Sequence, residues 1–289
     1  MTDSIHRPRR AGRKFAWAAV GGLVAALVAP LAVNPASAEP TPRPQDNTMG
    51  STIREHEGAP KKLPSPGAET MQSTQGIDVS HWQGSINWNS VAGSNVEFVW
   101  MKATEGTSYT DDRFDANYVN SYNAGLIRGA YHFALPDRSS GAAQARFFVN
   151  NGGNWSGDGQ TLPGALDIEY NPYGANCYGL SQSAMRNWIR DFMDTTKSLS
   201  GRYPAIYTTA DWWSTCTGNW SGATDSALWL ARWASSPGTI PGGWSTQTVW
   251  QYTDSGSVPG ISGGVDRNEF NGSKARLKAY ATCPEEDPC

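Results

Sequence analysis

The chain has 289 residues, 38% of them hydrophobic, and a formal net charge of −3. That length admits one large domain or two small ones. Past Lys61-Lys62 no basic block occurs, which argues against nucleic acid as the partner.

Residues 1–38 read as an export signal. A basic start, His6 to Lys14, precedes an apolar run from Phe15 to Val33 and a small-x-small ending at Ala36-Ser37-Ala38. Cleavage after Ala38 is expected over retention as a membrane anchor, because Gly21, Gly22 and Pro30 interrupt the run. Arg9-Arg10 fits a twin-arginine signal only loosely, so the export route stays open. Without residues 1–38 the chain keeps 18 basic and 25 acidic residues, a net charge of −7. A secreted, extracellular monomer is expected, with no contact to membrane after cleavage. Residues 39–75 are rich in Pro, Ser, Thr and charge and poor in large apolar residues, which predicts a disordered linker or pro-region.

From Gly76 short apolar runs alternate with helical spacing. Strands are predicted at 76–80, 97–103, 127–133, 164–170 and 204–208, and helices at 112–124, 140–150 and 181–198. Ser181 is the expected N-cap of the last helix, with Met185, Trp188, Ile189 and Phe192 on its apolar face. Two further strands, 228–233 and 248–252, follow with little helix between them. This order predicts an α/β fold, an irregular TIM-like barrel of about five βα units followed by short antiparallel strands. The catalytic domain is assigned to 76–280, with a Cys-containing tail at 281–289.

Four cysteines in an exported chain suggest disulfides, and of three possible pairings Cys177–Cys216 with Cys283–Cys289 is favoured. The spacing lacks C-x-x-C and any nearby histidine, so no metal site and no cofactor are expected. Twelve tryptophans remain after residue 38; most should fill core, but rings also stack on sugars.

In a parallel barrel, functional groups gather at the C-terminal strand ends. Asp78, Glu105, Asp167, Glu169 and Asp266 fall at or just beyond such ends. Asp167-x-Glu169 is the sharpest signal. Positions i and i+2 of a strand share a face, and this strand is apolar around them. Two like charges there should push one pKa upward, as a general acid requires. A structural pair held by Arg232 or Lys102 is the alternative. Paired carboxylates suit glycosidic cleavage. Gly260-Ile261-Ser262-Gly263-Gly264 matches a nucleophile elbow by letter, but no helix is expected to follow it.

Seven segments in order resemble the lysozymes of glycoside hydrolase family 25, the Chalaropsis-type muramidases. They are Gly76–Gly84, Phe98–Gly106, Gly129–Phe133, Leu166–Glu169, Ala205–Thr208, Leu228–Trp233 and Val249–Tyr252 with Gly260 and Val265–Asn268. Arg267, where an apolar residue is usual, and Trp233, where Tyr is usual, depart from the pattern. The resemblance implies cleavage of the β-1,4 bond between N-acetylmuramic acid and N-acetylglucosamine in peptidoglycan. It makes Glu169 the general acid and gives Asp167 the task of orienting the substrate's N-acetyl group. It places Asp78 and Asp266 in the same groove, Lys102 and Glu105 as a charged pair, and Tyr131, Tyr207, Trp229 and Trp250 along the sugar subsites. An inactive cell-wall-binding relative and a chitin-cleaving enzyme are the competing readings. The presence of all four groove acids disfavours the first.

Overall fold

A computed structural model describes residues 47–58 and 73–284. The expected export signal, much of the expected linker, and Cys289 lie outside the described residues. The described chain forms α1 (Ile53–Glu57), β1 (Thr74–Val79), α2 (Trp88–Ala92), β2 (Val96–Glu105), β3 (Tyr109–Thr110) and α3 (Phe114–Asn123). It continues through β4 (Ile127–Phe133), α4 (Gly141–Phe148), β5 (Ala165–Asp167), α5 (Gln182–Ser200), β6 (Ala205–Thr208) and α6 (Ala210–Thr217). The last elements are β7 (Leu228–Ala231), β8 (Val249–Gly256), β9 (Val265–Phe270) and α7 (Lys274–Thr282).

Eight strands close a barrel in the order β1-β9-β8-β7-β6-β5-β4-β2, with β2 returning to β1; β3 is a short appendage on β2. Neighbours pair parallel from β1 through β8, and β9 alone runs antiparallel to both of its partners. The irregular barrel is as expected, but its antiparallel part is narrower. Strands β7 and β8 stay parallel because the long connection between them carries the chain back across the barrel without a helix.

The continuous apolar runs have a simple cause. One face of each strand fills the barrel and the other meets a helix, so both faces are dry. Alternation along β4 shows it: Tyr131 points inward, while His132 points outward to Gln144 of α4, 2.9 Å away. Inside, bulk is admitted by glycine. A Cβ on Gly129 would lie 2.4 Å from Trp100 Nε1, and one on Gly76 2.3 Å from the Phe98 ring. Helix α5 starts where expected, with Ser181 Oγ accepting from Ala184 N at 3.3 Å, and it buries Met185, Trp188, Ile189 and Phe192.

Three departures from expectation stand out. Strand β9 went unread because Asp266, Arg267, Asn268 and Glu269 give it almost no apolar alternation. Helices α6 and α7 were also not foreseen. The third departure is residues 47–58, expected to be disordered, which form a turn and the single-turn helix α1 with Met49 and Ile53 each only 2% exposed. Composition judged that segment by its ability to make its own core; it packs instead on the barrel's.

Candidate active site

The inward-facing residues at the C-terminal strand ends converge on one acidic cluster. Asp78 comes from β1, Lys102 and Glu105 from β2, Tyr131 from β4, Asp167 from β5, Tyr207 from β6, Gln251 from β8, and Asp266 and Asn268 from β9. Because β9 is antiparallel, Asp266 sits near its start yet pairs in register with Asp78. Strand β5 ends at Asp167, but the chain stays extended: Asp167 O accepts from Ala134 N at 2.9 Å, and Ile168 N donates to Tyr207 O at 3.0 Å. Glu169 is thereby carried just past the strand end, beside Asp167.

Each acid has a different environment. Asp78 Oδ2 accepts from Gln251 Nε2 at 3.0 Å and from Asn268 Nδ2 at 2.7 Å. Burial nonetheless raises its pKa to about 6, against the lowering effect of those donors and of a hydrogen bond shared with Asp266. Asp266 is pushed well above the carboxylate range by burial and then by the Asp78 charge. Glu105 Oε2 lies 2.6 Å from Lys102 Nζ, and its Oε1 accepts from Tyr173 Oη at 2.7 Å. Both oxygens of Asp167 and Oε2 of Glu169 are buried with no hydrogen-bond partner among the described residues. Asp167 is shifted far upward by burial and then by Glu169. Glu169 rises to about 8, chiefly through burial, with the Gly50 N–H pulling the other way. A carboxyl so placed stays protonated at neutral pH.

The profile of glycosyl hydrolases family 25 matches residues 77–261. Lysozyme M1 of Streptomyces globisporus is 53% identical, over 94% of this chain and 96% of its own. The chain belongs to glycosyl hydrolases family 25. It is a glycoside hydrolase of the lysozyme kind. N,O-diacetylmuramidase of Chalaropsis sp. is 45% identical over 73% of this chain and 100% of its own length. Among solved structures, the bacterial lysozyme from Streptomyces coelicolor matches with 61% identity and a TM-score of 0.71, covering 72% of this chain and 97% of that one.

Within this family 25 hydrolase, the anticipated residues fall into two groups. Asp78, Lys102, Glu105, Tyr131, Asp167, Glu169, Tyr207 and Asp266 meet in the cluster. Trp229, in register with the inward Tyr207, faces the barrel interior with them; it packs between Trp100 and Tyr207, with Nε1 donating to Asn268 Oδ1 at 2.8 Å. Trp250 does not join them: it neighbours the inward Gln251 and so stands on the outer face of β8, donating to Arg232 O at 2.7 Å. Arg232, weighed as a partner for the acids, bonds Ser236 instead. Lys102 is the cation facing them.

Gln251 and Asn268 were overlooked, although both lie inside recognised segments. The signal was their parity: each is two positions from, or in register with, a residue of the cluster. Gln251 Oε1 accepts from Tyr207 Oη at 2.8 Å and from Trp233 Nε1 at 3.0 Å, which turns its amide nitrogen onto Asp78. The disulfide Cys177–Cys216 is present as expected, tying the loop after β5 to α6. Among the described residues no group of three or more His, Cys, Asp or Glu is placed to hold a metal ion.

Proposed function

We propose that this hydrolase cleaves the β-1,4 bond between N-acetylmuramic acid and N-acetylglucosamine in bacterial peptidoglycan, with Glu169 as the general acid. The supporting observation is the state of Glu169: a dry carboxyl beside a second acid, raised to about 8 and so carrying a proton at neutral pH. In this reading Glu169 protonates the leaving oxygen as the bond to the sugar carbon breaks. Asp167 holds the substrate's N-acetyl group so that its oxygen meets the positive charge developing at that carbon. Asp78 and Asp266, sharing a hydrogen bond, keep the far wall polar with a single net charge, while Lys102 is paired with Glu105. Tyr131 and Tyr207 supply hydroxyls for sugar oxygens.

Secretion belongs to the same reading. Its support is the tripartite pattern of residues 1–38 and a disulfide suited to an oxidising compartment. Among the described residues, no helix is long and apolar enough to cross a membrane.

The test is prolonged digestion of purified cell walls, with the new sugar ends identified by mass spectrometry. Reducing ends on N-acetylmuramic acid are expected, and none from Glu169→Gln beyond about a hundredth of the parent's yield. Ends on N-acetylglucosamine would overturn the bond assignment; undiminished ends from the variant would overturn Glu169.

A further inference from the structure

We propose that residues 47–58 are an inhibitor built into the chain: they dock in the active-site groove and keep the hydrolase latent until they leave. The inference rests on the muramidase reading for its substrate, but not for the docking itself.

The segment meets the very groups assigned to sugar. Gly50 N donates to Glu169 Oε1 at 2.6 Å. Lys102 Nζ donates to Asn47 O. The Met49 backbone hydrogen-bonds the Tyr131 hydroxyl. Gly50 presses on the groove floor with φ of 77°, and a Cβ there would lie 2.9 Å from Tyr207 Oη and 3.0 Å from the Trp233 ring. A side chain is thus excluded by both space and backbone conformation.

Anchors flank this plug. Met49 and Ile53 are buried. Arg54 engages both carboxylate oxygens of Asp254 and lies 5.3 Å from the centre of the Trp233 ring. The His56 ring stacks on Tyr170 at 4.0 Å, and Tyr170 Oη lies 3.0 Å from Glu57 Oε1. Apolar, charged and aromatic contacts together fix one register.

The docking opposes turnover directly: Asp78, Asp167 and Glu169 are each 1% exposed, so a glycan strand cannot reach them while the segment is seated. Covalent attachment makes the docking intramolecular, so modest contacts suffice to hold it at high effective concentration.

The experiment uses the whole chain with a site-specific protease sequence placed between Gly58 and Ser73. Wall-clearing rates are compared before and after cutting and removal of the freed segment. Cutting should raise the rate about tenfold or more, and a synthetic 47–58 peptide should lower it again. Gly50→Leu in the uncut chain should release activity without any cut. Binding of the peptide to the cut chain is measured separately by calorimetry. Equal clearing before and after the cut, or no peptide binding, overturns the proposal. No clearing by either form, with the peptide still bound, upholds the docking and defeats the muramidase reading instead.

Discussion

A single carboxyl illustrates how much environment decides. Asp78, Asp167 and Glu169 are ordinary acids by composition, yet each sits where its charged form is penalised by lost hydration. Activity should therefore fall as pH rises through the Glu169 pKa, the acid form being the one that donates. In the cut chain that midpoint should lie below the value of about 8 found with the groove filled, because burial is the main cause of the rise. A pH–rate profile checks both statements. Gln251 makes a second residue-scale case. Its amide is fixed by two donors and itself donates to Asp78. Gln251→Leu would leave Tyr207 and Trp233 without their acceptor and Asp78 with one donor fewer, and should lower stability by about 2 kcal/mol in a denaturant titration. Trp82, 55% exposed, lies in the turn that follows β1, just beyond that strand's C-terminal end. Trp82→Ala should raise KM severalfold and leave kcat nearly unchanged, the pattern of a stacking contact made equally in ground and transition states.

At the scale of elements, the loop after β5 is where sequence and structure depend on each other most. It carries Tyr173 onto Glu105 and Asn176 onto the Trp212 indole, whose Nε1 donates to Asn176 O at 3.1 Å. The Cys177–Cys216 bridge, spanning 39 residues, closes this loop against α6. Replacing both cysteines by serine should cost about 3 kcal/mol of stability, seen as a drop in Tm. It should also raise KM, since the loop also positions Tyr173. Strand β9 illustrates the opposite case: its pairing with β1 and β8 is legible only once the barrel closes, because barrel edges must be satisfied whatever the residues' propensity.

Across the whole molecule, the acidic cluster sets the sign of the pH dependence of stability. Folded-state pKa values of about 6 for Asp78 and about 8 for Glu169 lie above their unfolded values, so between roughly pH 4 and 8 the folded state binds more protons. Stability must then fall as pH rises through that window, the reverse of a protein whose carboxylates are ion-paired. Tm should be higher at pH 5 than at pH 8, and Glu169→Gln should flatten the difference. A Tm that rises between those values would refute the arrangement. Sequence alone determined the barrel, because doubly buried parallel strands leave unmistakable apolar runs. It also picked out the acids that the fold brings into one cluster, because charge at the end of a buried strand stands out against an apolar run. It could not decide which way Trp250 faces, since one residue of register inverts every side chain. Nor could it show that residues 47–58 are ordered, since Met49, Gly50 and Ile53 gain burial only from surfaces contributed by strands far along the chain. What the groove contains was a question of tertiary contact: the segment folds because the barrel supplies the apolar wall and the polar partners that its own composition lacks.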